Sequence, residues 1–82
     1  MPALRTLIVD DESLARRGLK LRLLEHPEID IIGECVNGAD ALKQVAEQQP
    51  DLLLLDIQMP VMDGFDVVRK LQSDTMPLVI FV

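Results

Sequence analysis

Apolar runs and amphipathic runs alternate along the chain, and this alternation is typical of a parallel β-sheet covered by helices. Continuous apolar runs predict buried strands at residues 7–9 and 52–55, and an apolar, β-branched run predicts a fourth strand at residues 78–82. Residues 29–35 alternate weakly and are interrupted by Gly33, which predicts an edge strand. Apolar residues at helical spacing predict helices at residues 13 to about 25, 39 to about 48 and 65 to about 71, with a turn at residues 73–77. The alternating order of strands and helices predicts the α/β class.

The apolar positions also predict which faces lie in the core. In the first helix, Leu14, Gly18 and Leu21 fall at helical spacing, whereas Leu19 and Leu23 lie on the opposite side. Residues 52–55 are four leucines, so a period of two places two of them on each face of the sheet. We therefore expect this strand to be central and covered on both sides.

Acidic residues follow the first and third predicted strands. Asp10 and Asp11 come directly after the first strand, and Asp56 comes directly after the third. Ligands of open parallel sheets bind beyond the carboxyl ends of the strands. Right-handed crossovers, together with a first strand that lies beside the third, would bring these three carboxylates into one pocket there. Two unit charges about 4 Å apart repel by roughly 4 kcal/mol at an effective dielectric constant near 20, so the pocket favours a bound cation. Oxygen ligands with room for water match Mg²⁺.

Length, charge and cysteine content exclude several classes of protein. The chain has 82 residues and a formal net charge of -6, which argues against direct nucleic-acid binding by this segment. Its single cysteine, Cys35, excludes an intramolecular disulfide framework and suits a reducing compartment. No apolar run approaches the length of a membrane helix, and the N-terminus lacks the pattern of a signal peptide. We therefore expect a cytoplasmic chain that does not contact a membrane.

Three segments of the sequence resemble the receiver domain of two-component response regulators. They are Leu7-Ile8-Val9-Asp10-Asp11-Glu12, the apolar run that ends at Asp56, and Met59-Pro60 followed by Met62-Asp63-Gly64. The resemblance implies a flavodoxin-like (CheY-like) three-layer fold with parallel strand order 2-1-3-4, of which residues 1–82 would be the N-terminal two-thirds. Two further segments, residues 13–16 and 33–35, resemble receivers joined to a LytTR-type DNA-binding domain, which implies a bacterial regulator of transcription.

The resemblance also implies a role for each residue of the pocket. Asp56 would accept a phosphoryl group from a phosphohistidine on a sensor histidine kinase. Asp11 would bind Mg²⁺ directly, and Asp10 would bind it through water or assist in binding it. Asp56 itself and the backbone carbonyl of Gln58 would supply further oxygen ligands. Catalysis would then rest mostly on positioning and on neutralisation of the phosphoryl oxygens by the metal.

The pattern of the family continues beyond the last residue of this sequence. A receiver uses a Ser or Thr hydroxyl after the fourth strand and a Lys after a fifth strand to bind the phosphoryl group. Its fourth helix, fifth strand and fifth helix carry the conformational switch, and the sequence ends at Val82, before all of these. We therefore expect metal binding to survive better than phosphotransfer and switching. We also expect the fourth strand to be an exposed edge through which two copies associate, by edge pairing or by exchange of the last elements. Leu19 and Leu23 would then fill the space that the fifth helix covers in the family.

Two other functions remain open at this point. One is an aspartate-nucleophile phosphatase of the haloacid dehalogenase kind. Such an enzyme would require a second acid two residues after the nucleophile, and Gln58 occupies that position. The other is an assembly module in which the fold persists as an oligomer and does not signal. Labelling of Asp56 by a small phosphodonor would favour the receiver over the assembly module, and turnover of an added phosphomonoester would favour the phosphatase.

Several other residues have a simpler structural interpretation. Asp63 is expected to cap the helix that follows it, and Gly64 is expected to need a free φ angle in a turn. Cys35 is expected to be a buried strand residue and not a nucleophile, because no positive neighbour in the sequence would lower its pKa. Arg16 and Arg17 are expected to form a charged helix face, with docking of the kinase as the second interpretation.

Overall fold

The computed structural model describes residues 3–71 and 76–82 of the chain. Within these residues, strands and helices alternate: β1 Leu4–Val9, α1 Ser13–Leu23, β2 Ile29–Cys35, α2 Gly38–Gln48, β3 Leu52–Leu55, α3 Gly64–Lys70 and β4 Leu78–Phe81. The strands form one parallel sheet in the order β2-β1-β3-β4. The predicted α/β class and strand order are confirmed. The turn predicted at residues 73–77 falls mostly outside the described residues.

β3 is the covered strand that its four leucines predict. All four side chains are buried, and the strand lies between β1 and β4. Leu53 and Leu55 belong to the larger core, which also contains residues of α2 and α3. Leu52 and Leu54 belong to a smaller core on the other face, against α1. The prediction of a strand with two leucines on each face is confirmed.

The face that α1 turns toward the sheet is the opposite of the one predicted. Leu14 and Leu21 are 78% and 60% exposed, and α1 has no fully buried residue. Leu19 and Leu23 pack against the smaller core instead. The prediction was wrong because it counted Gly18 as a core position, although a glycine adds no apolar side chain. Leu19 and Leu23 are four residues apart and form an apolar stripe by themselves.

The larger core lies between the sheet and the helices α2 and α3. Ala41 and Val45 of α2 and Val67 of α3 are buried there. In the sequence, Ala39, Leu42, Val45 and Ala46 predict the apolar stripe of α2. The prediction is confirmed at Val45, which is buried, and at Leu42, which packs against the larger core, and it is wrong at Ala39 and Ala46, which are exposed. The helical period places residues 38, 41 and 45 on one line toward the sheet, and residues 39 and 46 fall to its sides.

β2 and β4 are the two edges of the described sheet. The pairing of β1 with β2 shifts its register between Thr6 and Leu7, where Gly33 becomes the partner of Leu7. β4 pairs with β3 through residues 78–81, and most of its side chains are exposed, such as Leu78 at 64% and Ile80 at 46%. Among the helices of residues 3–71 and 76–82, none combines the length and the apolar character that crossing a bilayer requires.

Candidate functional site

The carboxyl ends of β1 and β3 place two of the predicted acids side by side. Val9 pairs with Leu55 in the parallel register, so Asp10 and Asp56 leave neighbouring strands at the same level. The Asp56 amide donates a hydrogen bond to the Val9 carbonyl at 2.9 Å, and the Asp10 amide donates to the Cys35 carbonyl at 3.1 Å. The hydrogen bonds of the sheet therefore continue one residue past the strands and set the position of both acids.

Asp10, Asp11 and Asp56 form one acidic cluster. Each residue offers a carboxylate oxygen, and the three oxygens lie within 4.8 Å of one another. Asp10 and Asp56 are half-buried, whereas Asp11 is exposed. Carboxylate oxygens at this spacing fit a small, hard cation such as Mg²⁺, which binds one or two carboxylates and keeps several of its waters. The structure thus brings together the three acids that the sequence assigns to the pocket.

The electrostatics of the cluster favour an added positive charge. Partial burial raises the pKa of the Asp10 carboxyl above its ordinary value, and the charges of Asp56 and Asp11 raise this pKa further. The Glu12 amide, which donates to Asp10 Oδ1 at 2.9 Å, and the charge of Arg16 act in the opposite direction. Because the net effect is a raised pKa, the negative charge of Asp10 is unfavourable in this pocket. A bound cation would compensate this charge at neutral pH.

The loop after β3 folds back on the Asp56 carboxylate. The Gln58 amide donates to Asp56 Oδ1 at 3.2 Å. The Gln58 carbonyl as a metal ligand stays a prediction. Met59 is buried in the larger core and anchors the loop. Val61 is fully exposed and has a φ of 69°, in the left-handed region, which costs an L-residue about 1–2 kcal/mol.

Gly64 begins α3 and lies directly against the main chain of Asp56. Its amide donates to the Ile57 carbonyl at 2.9 Å. A Cβ atom on Gly64 would lie 2.6 Å from the Asp56 carbonyl oxygen and 3.0 Å from Ile57 Cα. The expectation that Gly64 needs a free φ angle was wrong, because none of the described glycines has a positive φ. Glycine is needed here for the close approach of two main chains.

Two other residues have the structural roles that the sequence predicts. The Asp63 carboxylate accepts a hydrogen bond from the Asp66 amide at 2.9 Å, and the Asp63 amide donates to the Asp66 carboxylate at 3.1 Å, so the pair forms a capping box for α3. Cys35 is buried, and burial raises the pKa of its thiol to about 12. A thiol with such a pKa is not a nucleophile at neutral pH.

Arg16 is the residue of this site that the sequence analysis missed. Its Nη1 donates to the Asp10 carbonyl at 2.8 Å, and its Nε pairs with Glu34 Oε1 at 3.1 Å. The Arg16 side chain is only 14% exposed, whereas Arg17 is exposed. The signal that could have found Arg16 is a base one helical turn after the strand-end acids, but Arg17 carries nearly the same signal.

A parallel α/β sheet of order 2-1-3-4 with an acidic pocket at the ends of its central strands defines the flavodoxin-like class with a candidate cation site. The family model described as "Response regulator receiver domain" matches residues 6–82. This chain therefore belongs to the receiver domain family of two-component response regulators.

Relatives with similar sequences include both regulators and an enzyme. The transcriptional regulatory protein BtsR of Salmonella typhi is 42% identical over 79 residues, which cover 96% of this chain and 33% of BtsR. A protein-glutamate methylesterase/protein-glutamine glutaminase of a Nocardioides species is 40% identical over 83 residues, which cover 99% of this chain and 23% of that protein. The chain thus spans about a third or less of the length of these relatives.

Solved structures show the same fold. The signal receiver domain of NarL from Mycobacterium tuberculosis matches with a TM-score of 0.87 at 33% identity, over 99% of this chain and 66% of that one. CheY6 from R. sphaeroides, determined in complex with a domain of CheA3, matches with a TM-score of 0.82 at 32% identity, over 99% of this chain and 64% of the other. The LytTR-type output domain stays a prediction.

Proposed function

We propose that this chain is a phosphoacceptor for a sensor histidine kinase and that Asp56 receives the phosphoryl group with the help of Mg²⁺. The observation that carries the proposal is the convergence of the Asp10, Asp11 and Asp56 oxygens within 4.8 Å, at the carboxyl end of a receiver-family sheet. Phosphoryl transfer needs a positioned nucleophile and neutralisation of charge, and it needs little other chemistry from the protein. A half-buried carboxylate beside a candidate cation site supplies both requirements.

Each residue of the pocket has a part in the proposed reaction. A carboxylate oxygen of Asp56 forms a bond to phosphorus, the phosphorus–nitrogen bond of the phosphohistidine breaks, and the released imidazole takes up a proton. Because the Gln58 amide holds Oδ1 of Asp56 at 3.2 Å, we assign the attack to Oδ2. Asp11 would hold the cation directly, Asp10 would hold it through water or assist in holding it, and Asp56 and the Gln58 carbonyl would supply the other protein oxygens. Bound Mg²⁺ would neutralise the phosphoryl oxygens.

The wider setting is also part of the proposal. Residues 1–82 are proposed to be the N-terminal two-thirds of a receiver domain, within a cytoplasmic bacterial regulator of transcription. The support is that the chain matches 66% of the NarL receiver and 33% of BtsR, which is described as a transcriptional regulatory protein. The complex of CheY6 with a domain of CheA3 supports a phosphotransfer partner. A formal net charge of -6 supports the absence of direct nucleic-acid binding by this segment.

The experiment that tests the proposal is the intact mass of the purified protein after incubation with acetyl phosphate and Mg²⁺. We expect one phosphoryl adduct on the wild type, and its loss when EDTA replaces Mg²⁺. Asp56→Asn should abolish the adduct, because an amide oxygen is a poor nucleophile. Asp51→Asn is the matched control, since Asp51 lies at the opposite end of the same strand and should not affect labelling.

Two results would contradict the proposal. A folded wild type that forms no adduct would favour the assembly module, in which the fold is kept and phosphotransfer is not. An adduct that persists in Asp56→Asn would place the acceptor elsewhere. Turnover of an added phosphomonoester would instead favour a phosphatase, although Gln58 stands where that mechanism wants a second acid.

A further inference from the structure

Arg16 joins the first turns of α1 to the end of β1 and to the edge strand β2. Its Nη1 donates to the Asp10 carbonyl oxygen at 2.8 Å, and its Nε donates to Glu34 Oε1 at 3.1 Å. The Arg16 side chain is 14% exposed; its bond to the Asp10 carbonyl is partly buried, whereas its bond to Glu34 is exposed. A guanidinium presents its donors in a planar fork, and here the fork spans a main-chain carbonyl and a carboxylate.

Glu34, the second acceptor, is itself held in place. Lys20, one turn further along α1, donates to Glu34 Oε2 at 3.0 Å. In the sheet, Glu34 pairs with Ile8 in the register of β1 and β2. Lys20 and Arg16 hold the pKa of the Glu34 carboxyl below its ordinary value, so Glu34 stays ionised. The Glu34 carboxylate therefore anchors the guanidinium relative to the end of β1.

The carbonyl that Arg16 binds belongs to the peptide group between Asp10 and Asp11. A peptide group is planar and moves as one unit, so a hydrogen bond to its oxygen limits the directions in which both flanking side chains leave the main chain. We propose that Arg16 is a positioning residue for the cation pocket, and that its bond to the Asp10 carbonyl holds both acids where their carboxylates meet Asp56. This inference rests on the proposed Mg²⁺ site at these three acids.

The charge and the geometry of Arg16 predict opposite effects on cation binding. A positive charge beside the pocket repels a cation, so if Arg16 acted by its charge alone, its removal would tighten Mg²⁺ binding. If Arg16 acts by positioning, its removal weakens binding, as the loss of groups that orient metal ligands generally does. The sign of the change in affinity therefore separates the two roles.

The test is calorimetric titration of the purified protein with Mg²⁺. We expect Arg16→Ala to weaken Mg²⁺ binding about tenfold, in the range found when partners of metal ligands are removed. Arg16→Lys keeps the charge but loses the fork that bridges both acceptors, so it should also weaken binding. Glu34→Gln should give a smaller loss, because the guanidinium keeps its bond to the Asp10 carbonyl but loses its ionic anchor.

Arg17→Ala is the matched control. It removes the same charge from the neighbouring, exposed position. Since an exposed charge is screened by salt, we expect its effect on the Mg²⁺ affinity to stay within about twofold.

A second readout separates positioning from general damage to the fold. In the Asp56 labelling assay, Arg16→Ala should raise the Mg²⁺ concentration for half-maximal rate about tenfold, matching the loss of affinity. The labelling rate at saturating Mg²⁺ should stay close to that of the wild type. Circular dichroism without metal reports whether each variant is folded. If Arg16→Ala does not fold, the Mg²⁺ affinities of Arg16→Lys and Glu34→Gln test the proposal.

The outcomes for the pocket and for Arg16 are distinguishable. If the wild type neither binds Mg²⁺ nor forms the Asp56 adduct, the proposed function fails and this inference fails with it. If the wild type does both, but Arg16→Ala and Arg16→Lys bind Mg²⁺ as tightly or more tightly, only the positioning role is overturned. An equal loss of affinity in Arg17→Ala would also overturn it.

Discussion

At neutral pH the Asp10 carboxylate carries a charge that its surroundings oppose. Burial and the charges of Asp56 and Asp11 raise its pKa in the folded protein. A carboxyl with a raised pKa binds its proton more tightly in the folded state than in the unfolded state. It therefore lowers the free energy of unfolding at every pH above the folded-state pKa, and this cost disappears as the pH falls below the unfolded value near 3.8.

We expect Asp10→Asn to raise the Tm of the metal-free protein at pH 7. Asparagine has no charge but keeps an oxygen that can accept the hydrogen bond from the Glu12 amide. A gain of about 1 kcal/mol would correspond to roughly 4–8 °C in a domain of 60–100 residues. The variant should also lose the rise in Tm that Mg²⁺ gives the wild type, because a ligand that binds only the folded state stabilises it. Calorimetry in EDTA and in Mg²⁺ measures both effects.

Asp30→Asn is the control for this prediction. Asp30 is an exposed acid on β2. It lies opposite Arg5 of β1 in the register of the sheet, at the end of the sheet away from the pocket. Its substitution should leave the response to Mg²⁺ intact. The stabilising effect of Asp10→Asn should also shrink when the pH is lowered toward 4, since the wild-type carboxyl is then increasingly protonated. A metal-free Asp10→Asn protein that is less stable than the wild type at pH 7 would refute the argument.

The residues of the pocket differ in how far the sequence could predict them. Asp10 and Asp56 follow apolar strands directly, so a local pattern and the rules of parallel sheets place them together. The position of Arg16 depends on Glu34, which is 18 residues away and belongs to another strand. Nothing local distinguishes Arg16 from Arg17, and only the packing of α1 on the sheet decides which of them turns inward.

At the scale of the elements, two glycines lie in opposite surroundings. Gly64 begins α3, and a Cβ there would lie 2.6 Å from the Asp56 carbonyl oxygen. Gly18 lies inside α1, and a Cβ there would meet no atom within 4 Å. The same substitution to alanine is therefore expected to have opposite signs at the two positions.

We expect Gly64→Ala to lower the free energy of unfolding by about 1–3 kcal/mol, because two main chains must move apart. Gly18→Ala should raise it by about 0.5–1 kcal/mol, because alanine is the better helix former and fits without contact. Gly64→Ala should also weaken Mg²⁺ binding, since the displaced main chain carries Asp56. Denaturant unfolding and Mg²⁺ titration of both variants check this. Destabilisation by both substitutions, to a similar extent, would contradict the close-approach argument.

The first residue of β1 could not be predicted from the pattern of apolar residues. An apolar run predicts a strand that begins at residue 7, whereas β1 begins at Leu4. Thr6 is buried, and its hydroxyl donates to the Leu4 carbonyl at 3.0 Å, so its polar group is satisfied within the strand. A residue that is polar in the sequence can therefore belong to the core, and hydrophobic periodicity does not reveal it.

At the scale of the whole molecule, the strand order could be predicted from the resemblance to receiver domains, whereas the pattern of residues alone indicates a parallel sheet with right-handed crossovers and a central third strand. Crossovers between parallel strands are right-handed, and four consecutive leucines require a strand covered on both faces. The orientation of α1 could not be predicted in the same way. Leucines lie on both sides of this helix, and Leu14 and Leu21 stay exposed although they are as apolar as Leu19 and Leu23.

The predicted association of two copies concerns β4. In the described part of the chain, β4 pairs with β3 alone, and Leu78, Ile80 and Phe81 are 64%, 46% and 37% exposed. An apolar edge strand with unpaired amides and carbonyls favours pairing with another strand. We therefore expect the purified protein to form dimers in a concentration-dependent manner, which sedimentation velocity measures over a wide range of concentrations.

A charge at this edge should oppose the association. We expect Ile80→Lys to weaken the dimer about tenfold or more, equivalent to about 1.4 kcal/mol, because pairing would bury the charge against a second apolar strand. Leu24→Lys is the matched control, since Leu24 is 77% exposed at the end of α1, away from the edge. If Leu24→Lys dissociates the dimer and Ile80→Lys does not, the contact lies on α1. A protein that stays monomeric at every concentration would refute the edge contact altogether.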